Sequence, residues 1–163
     1  MEKISVRYVQ EPLALMVDGE LRLNPRNTVF WNDPGRFGAR QHAAGFWSSA
    51  DPGHVVFHET GHAAMVQGLY EAITRGGTAM THVVTPEWVQ EGLDSFVDTM
   101  PTAEHVDRAL AEKILRQVGR HALVSLPEFV AEVFAGLMAG RHYDEDILTK
   151  YRDCGGPPVP GPA

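Results

Sequence analysis

The sequence predicts an α+β fold in which a small N-terminal mixed sheet packs on one buried helix and the C-terminal half is helical. Short alternating stretches with tight-turn signals fill residues 1 to 50 and are typical of strands. A largely apolar helical segment carrying histidines follows at residues 51 to 76. From there to residue 152, apolar residues recur at helical spacing between Gly and Pro breaks, which indicates a bundle of helices.

Length and charge limit the classes of protein. The chain has 163 residues and a net charge of −7, which favours one domain with its own core and argues against a nucleic-acid partner. We expect that domain at residues 1–152, followed by a flexible Pro/Gly-rich tail at residues 153–163. The single cysteine, Cys154, excludes an intramolecular disulfide framework and a cysteine-rich zinc site.

Targeting signals are the next constraint. The N-terminus lacks a signal-peptide pattern, and no apolar run reaches the roughly 20 residues that cross a bilayer. We therefore expect no membrane partner and a cytoplasmic location, or one in a virion or toxin assembly or in a larger parent chain.

The N-terminal strands are read from alternation and turn chemistry. Ile4–Tyr8 alternates apolar and polar residues. Leu13–Val17 and Glu20–Asn24 flank Asp18-Gly19, a pair typical of two-residue hairpin turns. These segments predict the first strands of the sheet.

The segment before the motif helix is expected to be extended or irregular. Thr28–Trp31 is interpreted as a further strand, and residues 34–45 as a surface loop rich in Gly, Ala and Arg. Gly45–Ser48 is interpreted as a short edge strand to which a substrate peptide could add.

Helix boundaries follow from caps and breakers. Asp51-Pro52 is typical of a helix start, and Gly76-Gly77 of its end. Further helices are expected from Thr85-Pro86, from Thr102 to Gly119, from Ser125 to Gly140, and from Asp144 to Tyr151.

The most informative pattern is H-E-T-G-H at residues 58–62. On a helix, His58 and His62 lie one turn apart on the same face and can bind one metal ion. Glu59 beside the first histidine can then act as a base on a metal-bound water. Two unrelated histidines on a surface helix are the alternative.

A catalytic zinc usually has a third protein ligand, and the best candidate is Glu128. Glu132 lies four residues later on the same helical face and could orient a ligand histidine. A capping role is the alternative for Glu128, because Ser125 stands three residues before it. For Glu132 the alternative is a solvated position or a salt bridge to Arg141 or Lys150.

The remaining histidines have weaker support. His54, four residues before His58, is expected at a solvated helix start, although it could also shape the rim of the site. The histidines without ligand spacing are His42, His82, His105 and His142.

Two motifs together resemble a known family. H-E-T-G-H at residues 58–62 and E-F-V-A-E-V-F at residues 128–134 are similar to those of the gluzincin-type zinc peptidases of the anthrax lethal factor group. They also resemble zincin-like domains of phage head-morphogenesis proteins and polymorphic toxins. The resemblance covers residues 54–64 and 125–139. It implies a zincin-like fold, a zinc ion held by His58, His62 and Glu128, and a supporting role for Glu132.

One position departs from that family. The lethal factor group tends to have a tyrosine seven residues before the third ligand, and this chain has His121 there. A histidine can also donate a hydrogen bond to an oxyanion, most strongly as imidazolium. The alternative is a histidine that stabilises the C-terminal end of a helix.

Together these patterns predict a Zn²⁺-dependent metalloendopeptidase with a peptide or protein substrate. Glu59 is the expected base, and His121 a candidate catalytic donor. Two other classes stay open: a zincin-fold interaction module of a phage or toxin assembly, and a structural zinc site closed by a fourth protein ligand.

Overall fold

The computed structural model describes residues 14–17, 20–24, 26–76 and 108–159. Two strands are present, β1 (Ala14–Val17) and β2 (Glu20–Leu23). The helices are α1 (Thr28–Asn32), α2 (Pro34–Ala43), α3 (His54–Gly76), α4 (Arg108–Gln117), α5 (Leu126–Met138) and α6 (Glu145–Asp153), with a 3₁₀ turn at His121–Leu123. The described part of the chain is mostly helical, so it fits the expected helical C-terminal half and only loosely the α+β class.

The strands form the predicted hairpin. β1 and β2 pair antiparallel, with Val17 opposite Glu20 and Ala14 opposite Leu23. This register is the one that a two-residue connection sets. Within the described residues the sheet has these two strands, so it is antiparallel and not mixed. The predicted strand at Ile4–Tyr8 lies outside the described residues.

Two predictions for the next segment are wrong, because local capping favours helices there. Thr28–Trp31, predicted as a strand, lies in α1, where the Asn27 side chain accepts a hydrogen bond from the Phe30 N–H at 3.1 Å. Residues 34–45, predicted as a loop, contain the helix α2, which ends at Ala43. The Asp33 side chain accepts from the Arg36 N–H at 2.9 Å, and Pro34 suits the first helical position.

Gly45–Ser48 is not an edge strand, because its backbone is bonded to other parts of the chain. The Gly45 and Phe46 carbonyls accept from the N–H groups of Arg120 (2.9 Å) and His121 (3.2 Å). Gly119 makes this close approach possible: its φ is +129°, and a Cβ there would lie 2.8 Å from the Phe46 oxygen. These bonds fix the segment against the turn that carries His121.

The central packing is that of α3 on α5, and the residues at the crossing are small. A Cβ on Gly61 would lie 3.0 Å from Ala131 Cα and 3.2 Å from Phe134 Cβ. Ala131 and Ala135 are completely buried on α5. The backbones therefore come close enough for the inward side chains of both helices to meet.

Two apolar clusters lie on either side of this crossing. The larger one joins α3 to α4, α5 and α6, with Ile114, Val130, Val133 and Ile147 among its most buried members. The smaller cluster joins the hairpin to α1 and α3 through Leu21, Phe30, Trp47 and Val55. The site described below lies where these clusters adjoin.

The predicted C-terminal helices are confirmed, with small shifts in their ends. Ser125 caps α5, and α6 begins after Asp144 but continues to Asp153. The chain beyond α6 packs back on the core up to Val159: Cys154 is buried, and the Tyr151 hydroxyl donates to the Pro157 carbonyl. The flexible tail predicted for residues 153–163 is therefore folded up to residue 159.

Other predictions fall outside the described residues. The helix expected from Thr85-Pro86 and the start of α4 near Thr102 belong to this group. None of the helices in the described ranges is long and apolar enough to cross a membrane.

Candidate metal centre

The two histidines of the H-E-T-G-H motif face each other on α3. Their Nε2 atoms are 3.1 Å apart, as expected for side chains one helical turn apart. His58 is almost fully buried, whereas His62 is partly exposed. The helix begins three residues after Asp51, whose side chain accepts from the Gly53 N–H at 2.6 Å. The predicted start at Asp51-Pro52 is thus correct to within one turn.

Glu128, in the first turn of α5, completes this group. Its Oε2 is 3.0 Å from His58 Nε2, and its Oε1 is 3.6 Å from His62 Nε2. Ser125 Oγ accepts from the Glu128 N–H at 3.4 Å, so serine caps the helix as predicted. The Glu128 carboxylate itself faces the histidines, as the site interpretation predicts, and the Ser125 cap uses the Glu128 backbone N–H instead.

The geometry of His58, His62 and Glu128 suits one cation. The three are close enough to hold a metal ion, and their facing atoms are separated by 3.0, 3.1 and 3.6 Å. Ligands about 2.0–2.1 Å from a tetrahedral zinc lie roughly 3.3 Å from one another. Glu128 Oε2 is buried without a hydrogen-bond partner, although His58 Nε2 is so near. An imidazole nitrogen and a carboxylate oxygen at this separation can share a proton or a metal ion.

Glu132, one turn after Glu128, is the most buried charged residue of the site. It is completely inaccessible to solvent. Its Oε1 lies 3.1 Å from His121 Nδ1, 3.2 Å from His58 Nδ1 and 3.3 Å from His54 Nε2. Its Oε2 accepts a hydrogen bond from the Ser48 N–H at 2.8 Å. Glu132 therefore lies beside a candidate ligand histidine, as the sequence predicted.

The predicted alternatives for Glu132 are not what the structure shows. Its ion pairs are with histidines. Arg141 instead donates to His42 Nε2 and to the Gln117 carbonyl, each at 3.2 Å. A buried carboxylate surrounded by ring nitrogens offers an acceptor to each of them.

His54, His58 and Glu132 form a second group that is close enough to hold a metal ion. The two groups use opposite nitrogens of His58, because Nε2 faces Glu128 and Nδ1 faces Glu132. The contacts of the second group are those of a hydrogen-bonded network: Glu132 already accepts from Ser48, and His54 Nδ1 is 3.2 Å from Ser49 Oγ. We therefore take the first group as the better candidate for a metal.

His54 was expected at a solvated helix start, and this expectation is wrong. Its exposed fraction is 1%, and its ring stacks on Trp47 with centroids 4.4 Å apart. The Gly45–Ser48 segment brings Trp47 over the start of α3 and so covers this histidine. The spacing of four residues between His54 and His58 is the sequence signal that could have assigned His54 to the site.

His42 also supports the site, although its position in the sequence did not indicate this role. Its Nδ1 lies 3.0 Å from the Trp47 carbonyl, which can only accept, so Nδ1 carries the proton. Its Nε2 then accepts from Arg141. His42 thereby joins α2 to the segment that covers the site.

His121 lies beside the candidate metal ligands. Its ring stacks on that of His58 with centroids 5.3 Å apart and an interplanar angle of 11°, and on Phe46 at 4.8 Å and 18°. Its Nδ1 faces Glu132 Oε1, and its Nε2 is 3.4 Å from Glu128 Oε2. The 3₁₀ turn thus places His121 where a donor or a further ligand would act.

Charges in this cluster stabilise one another. Burial opposes ionisation of Glu128 and Glu132, but hydrogen bonds and charge interactions with the histidines hold the pKa of each carboxyl well below its usual range. Burial alone would lower the pKa of His58, yet its contacts with Glu128 and Glu132 raise that pKa to about 10. Two carboxylates thus favour positive charge at this point, whether from a proton or from a metal ion.

A cavity of about 350 Å³ opens beside the ligands. Glu59 lies in its wall and is itself 8% exposed. The lining is completed by Ala14, Phe37, Gln41, Phe46, Trp47, His54, Val55, His58 and His121. Glu59 and His58 therefore border the same cavity.

The peptide-binding edge predicted at Phe46–Ser48 is not present. The Phe46 N–H donates to the Gln41 carbonyl at 2.9 Å, and the Phe46 carbonyl accepts from His121. The Trp47 carbonyl accepts from His42, and the Ser48 N–H donates to Glu132. With these groups occupied, the segment has no row of free donors and acceptors for an added strand.

No protein-family model, curated protein or solved structure matches this chain. The family expected from the two motifs therefore stays a prediction.

Proposed function

We propose that this protein is a zinc-dependent metallopeptidase with His58, His62 and Glu128 as its zinc ligands. The observation that carries the proposal is the meeting of these three side chains around one point, with Glu128 Oε2 3.0 Å from His58 Nε2. The resemblance of the two motifs to gluzincin-type peptidases supports the same assignment. Residues of this type suit zinc, which prefers imidazole and carboxylate ligands in open catalytic sites.

A zinc ion in this site would supply Lewis acidity, which makes water nucleophilic near neutral pH and polarises a peptide carbonyl. Glu59 follows a ligand directly and lines the adjoining cavity. From there its carboxylate takes the proton of the attacking water and returns it to the leaving amine. Glu132 holds the Nδ1 side of His58, so that Nε2 faces the metal.

His121 is the proposed donor to the oxyanion. Its Nδ1 faces Glu132, and its Nε2 points to the same side as Glu128 Oε2. A donor role for Nε2 together with the Nδ1 contact requires a proton on both nitrogens. The buried Glu132 carboxylate faces Nδ1 and so orients the ring.

The same contact favours a second candidate function, a structural zinc site. His121 Nε2 is close enough to Glu128 to become a fourth protein ligand after a small movement. Four protein ligands would close the site and prevent catalysis. The two candidates differ in what His121→Phe does: it weakens zinc binding if the site is structural, and it lowers the rate without zinc loss if the site is catalytic.

Zinc analysis tests the ligand assignment. We expect about one zinc per chain in the purified parent, and much weaker retention in Glu128→Ala, which removes one of three protein ligands. Glu112→Ala is a matched control, because Glu112 is an exposed glutamate that pairs with Arg108 on α4. Equal zinc content in the parent and Glu128→Ala would show that Glu128 is not a ligand.

A further inference from the structure

His54 is a buried histidine that has no part in the proposed mechanism. Its exposed fraction is 1%, and its ring stacks on Trp47 with centroids 4.4 Å apart. Its Nε2 is 3.3 Å from Glu132 Oε1, and its Nδ1 is 3.2 Å from Ser49 Oγ. Because both ring nitrogens have a polar partner and the ring is stacked, His54 is held in one orientation.

The direction of these hydrogen bonds follows from Ser49. Its hydroxyl oxygen accepts from the Asp51 N–H at 3.4 Å, so the hydroxyl hydrogen is available to His54 Nδ1. An imidazole nitrogen that accepts a hydrogen bond carries no proton, which places the proton of the ring on Nε2. This N–H then donates to the Glu132 carboxylate. His54 thus connects the Ser49 hydroxyl to Glu132.

The two oxygens of Glu132 are held by neighbouring residues of one segment. Oε2 accepts directly from the Ser48 N–H at 2.8 Å. Oε1 is reached from the next residue, Ser49, through the ring of His54. A glutamate side chain has several rotatable bonds, so it can orient another side chain only where its own carboxylate is held. Ser48 and His54 together restrain the carboxylate at both oxygens.

We propose that His54 is a positioning residue of the zinc site, which holds Glu132 so that the carboxylate fixes the ring of His58. Glu132 Oε1 is 3.2 Å from His58 Nδ1, and the other nitrogen, Nε2, faces His62 and Glu128. The inference rests on the proposed zinc site, and it gives His54 a role that requires no contact with metal or substrate. Loss of a group that orients a ligand histidine typically lowers metal affinity about 10- to 100-fold.

Three substitutions separate this role from packing and from direct metal binding. His54→Phe keeps a ring against Trp47 but removes the donor. His54→Gln removes the ring but can place an amide N–H near the position of Nε2, whereas His54→Asn is a methylene group shorter and does not reach Glu132. A packing role makes phenylalanine the best replacement, and a ligand role makes all three equally poor. The positioning role makes glutamine the best.

The dissociation constant for Zn²⁺ alone, measured by competition with a chelator, is the readout. We expect His54→Phe and His54→Asn to bind zinc about tenfold or more weakly than the parent, and His54→Gln to recover most of this loss. His142→Phe is the matched control, because it makes the same change at an exposed histidine, and it should keep the parental constant.

Thermal unfolding of the metal-free proteins shows which variants are folded. If the His54 variants are not, Ser49→Ala replaces them, because it removes the hydroxyl that holds His54 Nδ1. This change should weaken zinc binding by about twofold to tenfold, the worth of one hydrogen bond. Parental zinc affinity in a folded Ser49→Ala protein would then overturn the proposed role.

Two results for the folded His54 variants contradict the positioning role. One is parental zinc affinity in His54→Phe, and the other is a His54→Gln protein that binds zinc no better than His54→Phe. In either case Glu128→Ala still tests the zinc site separately. A parent that binds no zinc overturns the site itself, and the role of His54 with it.

Discussion

A single residue, His58, connects the two halves of the site. Its Nε2 faces His62 and Glu128, and its Nδ1 faces Glu132, which is buried among three histidines. A ligand histidine whose second nitrogen is held by a carboxylate is fixed in orientation and becomes a better ligand. Whether Nε2 or Nδ1 of His58 binds a metal therefore decides which of the two candidate groups holds it.

Zinc binding should release a proton from this residue. Because contacts with Glu128 and Glu132 raise the pKa of His58 to about 10, the metal-free site keeps its proton at neutral pH. Zinc must displace it, so apparent affinity should rise about tenfold per pH unit between pH 6 and 8. Titration calorimetry in buffers of different ionisation enthalpy would show about one proton released.

Glu132→Gln provides the comparison for this measurement. The amide removes one of the charges that raise the His58 pKa, so fewer protons should be released at pH 7. Heats that do not depend on the buffer would contradict the loss of a proton from His58 on zinc binding.

The proton on His58 also stabilises the metal-free fold. This contribution is complete below the unfolded pKa of 6.5 and is lost as the pH rises through about 10.

His121 is the second residue whose role can be measured separately. If Nε2 donates to the oxyanion, His121→Phe should lower kcat by about 10²-fold while KM and zinc content change little. His121→Tyr should recover part of the rate, because a phenol can also donate a hydrogen bond. Full kcat in His121→Phe would exclude the donor role, and zinc loss would favour the structural site.

At the scale of elements, the crossing of α3 and α5 brings the ligands together. His58 and His62 lie on α3 and Glu128 on α5, and Gly61 stands at the closest approach of these helices. Glycine in a helix normally lowers its stability. Here it permits the contact that places the carboxylate against the imidazoles.

Gly61→Ala should therefore destabilise the fold and weaken zinc binding. The new Cβ would lie 3.0 Å from Ala131 Cα, so the helices must separate, at a cost of about 1–3 kcal/mol in unfolding free energy. Gly68→Ala on the same helix is a matched control, since its Cβ would meet nothing within 4 Å. It should stabilise the helix by up to about 1 kcal/mol. Thermal unfolding of the metal-free proteins measures both effects, and equal shifts in the two variants would contradict this account of the crossing.

The elements that sequence could predict are those with local signals. The hairpin register, the cap at Ser125 and the end of α4 before Gly119 all follow from nearby residues. α1 and α2 differ from the predicted strand and loop because Asn27 and Asp33 act as helix caps. Gly45–Ser48 has a strand-like pattern, but distant hydrogen bonds from Arg120 and His121 decide its conformation.

At the scale of the whole molecule, the site lies between two cores that the sequence brings together from a distance. Glu132 bonds to Ser48, 84 residues earlier, and reaches His54, 78 residues earlier. Spacing within a helix predicted the convergence of His58 and His62 and nominated Glu128. It could not predict Ser48, His42 or the burial of His54, because these depend on how the Gly45–Ser48 segment folds over α3.

The two cores contribute differently to the site. The larger core holds α3 against α5 and so maintains the ligand geometry. The smaller core contributes Ala14, Trp47 and Val55 to the wall of the cavity. Zinc affinity should therefore depend on the packing at the α3–α5 crossing.

We propose that this chain hydrolyses peptides with Glu59 as the base at a zinc site. The most direct test compares the zinc-loaded parent with Glu59→Gln on a peptide library whose members contain phenylalanine or leucine. We expect cleavage by the parent, unchanged zinc content and fold in Glu59→Gln, and a rate at least about 10²-fold lower in the variant. A Glu59→Gln protein that cleaves as fast as the parent, or a zinc-loaded parent that cleaves no peptide, would contradict the claim.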